Sequence, residues 1–313
     1  MNKNLPILAL ITASLIWGAA APIFKWSIQN IPIFPLVFLR FFIASIFLIP
    51  FLKTTKIYLK DFWAISLLGI LGVSLNVGLF FLGISMTSSI NAGLMAASGP
   101  IFTILAAKLF LKEEGSKKLI IGALIGLFGV LIICGQSLLR GSFSSDIFGN
   151  ILLILAVWGT VGHEIMVKKL QLKYDSTLLT YSMFLIGAFT FLPLAYYQLS
   201  TTPDFLLHID IRGITGIVFG ILFSSLAAYF LWNWGLSKMP ASKVGVFLYA
   251  DPLAAALVAL PLLGERLTLP DFVGGLLIFA GIFIAEKKIH YHFKHFRLSF
   301  NVGKLKLSLS QTK

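Results

Sequence analysis

Residues 99–133, GPIFTILAAKLFLKEEGSKKLIIGALIGLFGVLII, and residues 251–285, DPLAAALVALPLLGERLTLPDFVGGLLIFAGIFIA, align without a gap at an offset of 152 positions. The offset lays Pro100 on Pro252, Leu105 on Leu257, Ala107 on Ala259, Glu113 on Glu265, Gly122 on Gly274, Leu124 on Leu276, Gly129 on Gly281 and Ile132 on Ile284. Upstream, the same register pairs Leu79 with Leu231, Gly83 with Gly235, Ser85 with Ser237 and Gly93 with Gly245. Apolar residues match easily by chance, so the Pro, Glu and Gly pairs carry the argument for an internal repeat. Trp17 and Gly18 lie more loosely over Trp158 and Gly159. Within each stretch a charged turn separates two apolar runs, each part of a longer run near the 20 residues or so that a helix needs to cross about 30 Å of hydrocarbon.

The rest of the chain has the same character. Of its 313 residues 58% are hydrophobic and only 12% charged, with 29 Phe and a mean hydropathy of +0.93. A water-soluble domain carries about 25% charged residues, so lipid is the solvent that this composition fits. The single cysteine, Cys134, has no partner within the chain for a disulfide and lies in an apolar run. Ten candidate spans follow: Leu5 to Phe24, Ile33 to Leu52, Phe62 to Ile84, Ser89 to Leu111, Leu119 to Leu138, Ile147 to Met166, Leu178 to Leu199, Gly213 to Gly235, Ala241 to Leu263 and Phe272 to Glu286. None alternates as barrel strands do, and a lipid-exposed backbone must satisfy its own hydrogen bonds, so an all-α membrane bundle is expected. Lys3, the apolar run after it and Ala19, Ala20 and Ala21 also imitate a secretory signal, a rival reading of the first span.

Lysine and arginine set the expected orientation. With a cytoplasmic start, the inner loops and the tail receive 19 of the 25 basic residues, the outer side only Lys25, Arg140, Arg212 and Arg266. Arg40 and Lys108 lie within spans. Both termini are therefore expected in the cytoplasm, and topology accounts for the charge of +13 without nucleic-acid binding. Residues 1–138 and 147–286 then form two repeats of five spans, followed by a basic tail, 287–313. An odd number of spans per repeat inverts the second copy relative to the first. Inverted repeats give one packing in two opposed orientations, the architecture of a secondary transporter with a midplane site.

WGAAAPIFK in the first span, GP followed by LKEEGSKKLIIGALIGLFGV, and DP followed by LLGERLTLPDFVGGLLIFAGI resemble the EamA family of drug/metabolite transporters over about residues 5–286. The resemblance implies ten helices, cytoplasmic termini in an inner membrane, and export or exchange of small metabolites such as amino acids or drug-like compounds. It names no substrate.

Candidate site residues follow from depth and polarity. Asp251, counted ten residues into the ninth span, stands about 15 Å deep, where an acid costs several kcal/mol unless paired, protonated or hydrated. It is the candidate for proton coupling or cation binding, with Pro252 leaving the Leu248 carbonyl free beside it. Arg40 is its candidate partner or an anion site, against the plainer reading of a packing or snorkelling arginine. Asn76 points at protein from a small-residue face and either binds substrate or bonds across helices. Trp17 and Trp158, far from the headgroup belt, are candidates to line the cavity, with Tyr249, Tyr229, Ser98, Ser224 and Ser225 behind them. Lys108 reads as snorkelling, His163 and Glu164 as an interfacial cluster with Lys168 and Lys169, and Glu113 and Glu265 as structural turn residues. The glycines of the fifth and tenth spans suggest close contacts and a homodimer. The tail suits anionic lipid, while His290, His292 and His295 lack the companions of a metal site. With no HExxH, GxSxG or P-loop, neither an enzyme nor a cofactor is expected. A membrane enzyme or a scaffold or receptor remains the alternative to a carrier.

Overall fold

The computed structural model describes residues 5–52, 57–110, 117–135, 145–202, 204, 208–239, 244, 247–248 and 250–285. Glu113, Arg140, Tyr249 and the tail lie outside them, as does the side chain of Lys108. The described residues form helices and no strand. In chain order these are α1 (Leu5–Ser27), α2 (Ile33–Phe51), α3 (Leu59–Met86), α4 (Ser89–Ala96), α5 (Gly99–Phe110), α6 (Lys117–Gly135), α7 (Ser145–Leu170), α8 (Ser176–Thr201), α9 (Ile211–Lys238), α10 (Ala250–Leu263) and α11 (Leu269–Ala285). Among them α1, α2, α3, α7, α8 and α9 are each long and apolar enough to cross a membrane. The chain is a multi-pass membrane protein. Its outer surface is covered with Leu, Phe and Trp side chains such as Leu8, Trp63, Leu109, Leu257 and Phe283, the surface lipid requires and water would penalise.

Two helices begin where the sequence repeats its proline. The run read as one span from Ser89 to Leu111 is broken: α4 ends at Ala96, Ala97 and Ser98 make a turn, and α5 starts at Gly99. Pro100 has no N–H to return to Ala96, and its ring restricts the residue before it. Ser98 closes the turn, with its amide (2.9 Å) and its hydroxyl (2.6 Å) both donating to the Met95 carbonyl. The main helix of the ninth span likewise starts at Ala250, after a helical Val244 and a 3-10 turn at Phe247 and Leu248. Asp251 therefore lies in the first turn of a helix and not ten residues inside one. Pro252 occupies a position where no intrahelical N–H is needed, so it opens no helix. The depth of Asp251 is set instead by its neighbour. Gly18, in the middle of α1, packs so closely on Asp251 that a Cβ there would stand 2.5 Å from the Asp251 carbonyl.

Two helices also carry a wide, π-helical turn: Ile70–Leu75 in α3 and Phe219–Ala227 in α9. Adding 152 to the first gives 222–227, inside the second. A π turn breaks the regular ladder and can release carbonyls from it, and these segments face the centre of the bundle. There α1 packs against α4, α9 and α10, α2 against α8, and α3 against α7 and α8.

To one side α6 and α11 pack as a pair, and their glycines explain it. A Cβ on Gly129 would stand 2.5 Å from the Gly274 carbonyl, and one on Gly281 would collide with Gly122. The glycine faces offered above as a dimer contact are thus used within one chain.

Candidate functional site: a central cavity with two separate charges

A cavity of about 130 Å³ lies between α1, α2, α3, α4, α7, α9 and α10. At roughly 10–15 Å³ per water it holds about ten waters, the scale of a small metabolite. Its walls are mostly apolar and aromatic, with Trp17, Phe24, Phe80, Tyr229 and Trp232 prominent.

One cation reaches it. Arg40, 3% exposed, donates from Nε to Ser225 Oγ (2.7 Å) and from Nη2 to Ser224 Oγ (2.9 Å). Its guanidinium carbon lies 4.9 Å from the Phe24 ring centroid and 4.6 Å from that of Phe41, so two π faces steady the charge. Among the described residues no carboxylate pairs with it. Both serines come from the π segment of α9.

Among the described residues one aspartate side chain lines the same cavity. Asp251, 5% exposed, has the Ser14 hydroxyl of α1 beside it, and its Oδ1 makes no bond of full hydrogen-bond geometry. Arg40 and Asp251 thus share a chamber without bonding to each other, which sets aside the ion pair suggested by the sequence.

Polar ties between helices hold the walls. Asn76 donates to the Ala156 carbonyl (2.9 Å) and to Thr160 Oγ1 (2.7 Å), fastening α3 to α7. The Trp17 indole N–H donates to the Ser224 carbonyl (3.1 Å), and the Tyr229 hydroxyl to the Gly72 carbonyl (3.2 Å). Gly72 and Ser224 are 152 residues apart. Each π segment therefore offers the equivalent carbonyl to an aromatic residue of the opposite sequence half. The Trp17 ring lies 5.1 Å from that of Tyr229 and 5.2 Å from that of Trp232, so the two ties share one aromatic cluster.

Comparison with known proteins now bears on what this chamber serves. The model of the EamA-like transporter family matches residues 4–135 and again 147–286. The chain belongs to the EamA-like transporter family. An uncharacterized transporter of Archaeoglobus fulgidus is 26% identical over 297 residues, 93% of this chain and 100% of the relative. A second from that organism is 30% identical over 275 residues, 87% and 95% of the two chains. The uncharacterized transporter YetK of Bacillus subtilis is 27% identical over 290 residues, 90% of this chain and 86% of its own. One solved crystal structure superposes with a TM-score of 0.66 at 19% identity, covering 90% of this chain and 96% of the other, and supports the fold. This EamA-like protein is a membrane transporter.

The remaining sequence candidates divide. Trp17, Arg40, Asn76, Ser224, Tyr229 and Asp251 line the cavity. Trp158 does not: it is 51% exposed on the lipid-facing side of α7, tilted against Phe102 with centroids 4.8 Å apart. Its match with Trp17 is one of type without a shared position in the bundle. Ser98 is buried with its hydroxyl committed to Met95, so it serves the α4–α5 turn. Tyr249 lies outside the described residues.

His163 and Glu164 lie deeper in the bundle than their place beside Lys168 and Lys169 in the sequence suggests. They are 3% and 0% exposed, well before the end of α7, and not an interfacial cluster. His163 lines the cavity, and Glu164 accepts from Thr103 Oγ1 (2.7 Å). Lys168, which suggested an interface, sends its ammonium to the Leu236 and Met239 carbonyls, both at 2.7 Å. The usable signal was helix length: α7 runs on to Leu170, so His163 stands about two turns inside.

Proposed function

We propose that this transporter is a secondary-active carrier of small zwitterionic metabolites, amino acids among them. It exports or exchanges them by alternating access of the central cavity. The observation that carries the reading is a buried guanidinium and a buried carboxyl group that share the chamber without sharing a bond. An ionised group in a membrane interior costs several kcal/mol unless something satisfies it. A ligand with a carboxylate near the guanidinium of Arg40 and an ammonium near Asp251 satisfies both at once. The aromatic wall of Trp17, Phe80 and Trp232 then takes an apolar side chain.

Asp251 is the coupling site in this reading. Its carboxyl can hold a proton when the ligand is gone, so proton and ammonium compete for one carboxylate. The two family matches, the gap-free offset of 152 and the π turns at matching places support two repeats, 1–138 and 147–286, inverted about the cavity. On that reading the chain crosses an inner membrane ten times with both termini in the cytoplasm, the orientation favoured by its basic loops and its tail, 287–313.

The test is uptake and efflux of a labelled amino-acid and metabolite panel in proteoliposomes, with and without an imposed pH gradient, for the parent and Asp251→Asn. The expected outcome is zwitterion flux that follows the gradient in the parent, and loss of that coupling in a variant that still inserts. Full gradient-driven flux in Asp251→Asn removes the residue from the mechanism. Flux of anions or cations in preference to zwitterions overturns the substrate class.

A further inference from the structure

One end of the molecule is tied across the two sequence halves. The loop between α10 and α11 turns at Gly264, whose φ of 65° suits glycine, and presents Glu265 to the start of α4. Glu265 Oε1 accepts from the Ser89 amide (2.9 Å) and from Lys25 Nζ (2.9 Å). Its Oε2 accepts from Ser89 Oγ (2.8 Å) and from the Ile90 amide (3.1 Å). Lys25, at the end of α1, also donates to the Thr87 carbonyl (2.6 Å), where α3 has just ended. One carboxylate from the second half thus gathers the N–H groups that open α4 and the ammonium that closes α1, all from the first half. Charge-assisted bonds to backbone donors at a helix start are among the stronger polar contacts available.

The tie lies over a closed passage. A polar cavity of about 350 Å³ at this end, lined by Lys25, Asn91, Asp146, Glu265 and Arg266, is separate from the central cavity. Below it α1, α4 and α10 meet at contacts with no room for a side chain: a Cβ on Gly93 would stand 2.9 Å from the Ala255 Cβ, and one on Gly18 2.8 Å from that of Ala254. For the chamber to open toward this end, α10 must part from α1 and α4, and the carboxylate that spans that seam must let go.

We propose that Glu265 is a conformational latch: its bonds to Lys25, Ser89 and Ile90 hold the Lys25 end shut, and their release admits that end to the central cavity. The inference rests on the alternating-access reading above, but its test needs no substrate. A single thiol is placed in the cavity wall by Ala96→Cys in a Cys134→Ser background. A membrane-impermeant thiol reagent is then applied to right-side-out and to inside-out membrane vesicles. From the face that carries Lys25, labelling is expected to be slow in the parent. It should rise about tenfold or more in Glu265→Gln and in Lys25→Met, the scale of shift expected when bonds that favour one state are removed. Glu265→Asp, which keeps the charge on a shorter arm, is expected to fall between. Labelling from that face that matches the parent in both Glu265→Gln and Lys25→Met overturns the latch. So does an equal rise at both faces, the mark of a loosened fold. If flux assays find no carried zwitterion while labelling still opens at one face, the substrate reading fails and the latch stands.

Discussion

The two π-helical segments share a place in the repeat and differ in chemistry. Gly72 in the first and Ser224 in the second each offer a carbonyl to an aromatic residue of the other half. The second adds hydroxyls, from Ser224 and Ser225, that hold Arg40, whereas the hydroxyl of the first, Ser74, turns to Thr190. The equivalent places in the first segment are Gly72 and Val73, which have no side-chain donor or acceptor. Repetition has kept the backbone device, while the ion site belongs to one segment alone. On the carrier reading proposed above, the near-symmetrical frame would provide two related orientations, and the unlike side chains within it would orient an unsymmetrical ligand.

Breaking the charged side of that comparison gives the largest expected effect. Arg40→Gln removes the cation and leaves both serines, and apparent affinity for a carboxylate-bearing ligand should fall about 100-fold or more, measured as the half-saturating concentration for flux. Ser224→Ala combined with Ser225→Ala keeps the charge and frees its orientation. A loss of about tenfold is expected, with carboxylate preference retained over the amide analogue. An unchanged profile in the double variant would reduce the second π segment to a bend.

Making the two segments alike by Gly72→Ser should fail for steric reasons. A Cβ there would stand 2.7 Å from Met183 Sδ and 2.9 Å from His163 Cδ2, so thermal unfolding should register overpacking of about 1–3 kcal/mol. The shared feature is softer: Tyr229→Phe removes one neutral hydrogen bond to Gly72, a change of about 0.5–1.5 kcal/mol that should alter flux only a few-fold.

The smallest change at neutral pH concerns the loop carboxylate. Burial raises the pKa of Glu265, but the Ser89 amide and Lys25 outweigh it and hold the group below the usual carboxylate range. Its contribution is therefore complete above the ordinary glutamate pKa of about 4.3 and is lost as pH falls through the lower, folded-state value. Labelling of the cavity thiol from the Lys25 face, taken as a ratio to Glu265→Gln at the same pH so that the loss of thiolate cancels, should stay constant from pH 8 to about 5 and approach the variant only in more acidic buffer.

Much of this was legible before any coordinates. An all-helical membrane chain followed from composition and run length, because lipid leaves a backbone few other ways to satisfy its hydrogen bonds. The offset of 152 followed from Pro, Gly and Glu pairs, and the depth of Arg40, Asn76, Trp17, Ser224 and Tyr229 from counting along helices. Counting misled where a helix did not run as the hydropathy did. Asp251 opens its described helix at Ala250, the span from Ser89 breaks at Ala97 and Ser98, and α7 continues far enough to bury His163 and Glu164.

The sequence by itself thus determined the solvent, the class of fold, the repeat and a short list of deep polar residues, since each depends on patterns along one chain. Only the tertiary structure decided which of those residues face one another. It placed Arg40 on a pair of serines and left Asp251 apart from it, turned Trp158 toward lipid while Trp17 lines the cavity, and brought Glu265 to Lys25 across 240 residues. A periodic pattern of apolar residues says that a helix spans. Its rotation about its own axis is set by close contacts with neighbours, such as Gly18 on Asp251 and Gly129 on Gly274, and those contacts exist only once the helices have packed.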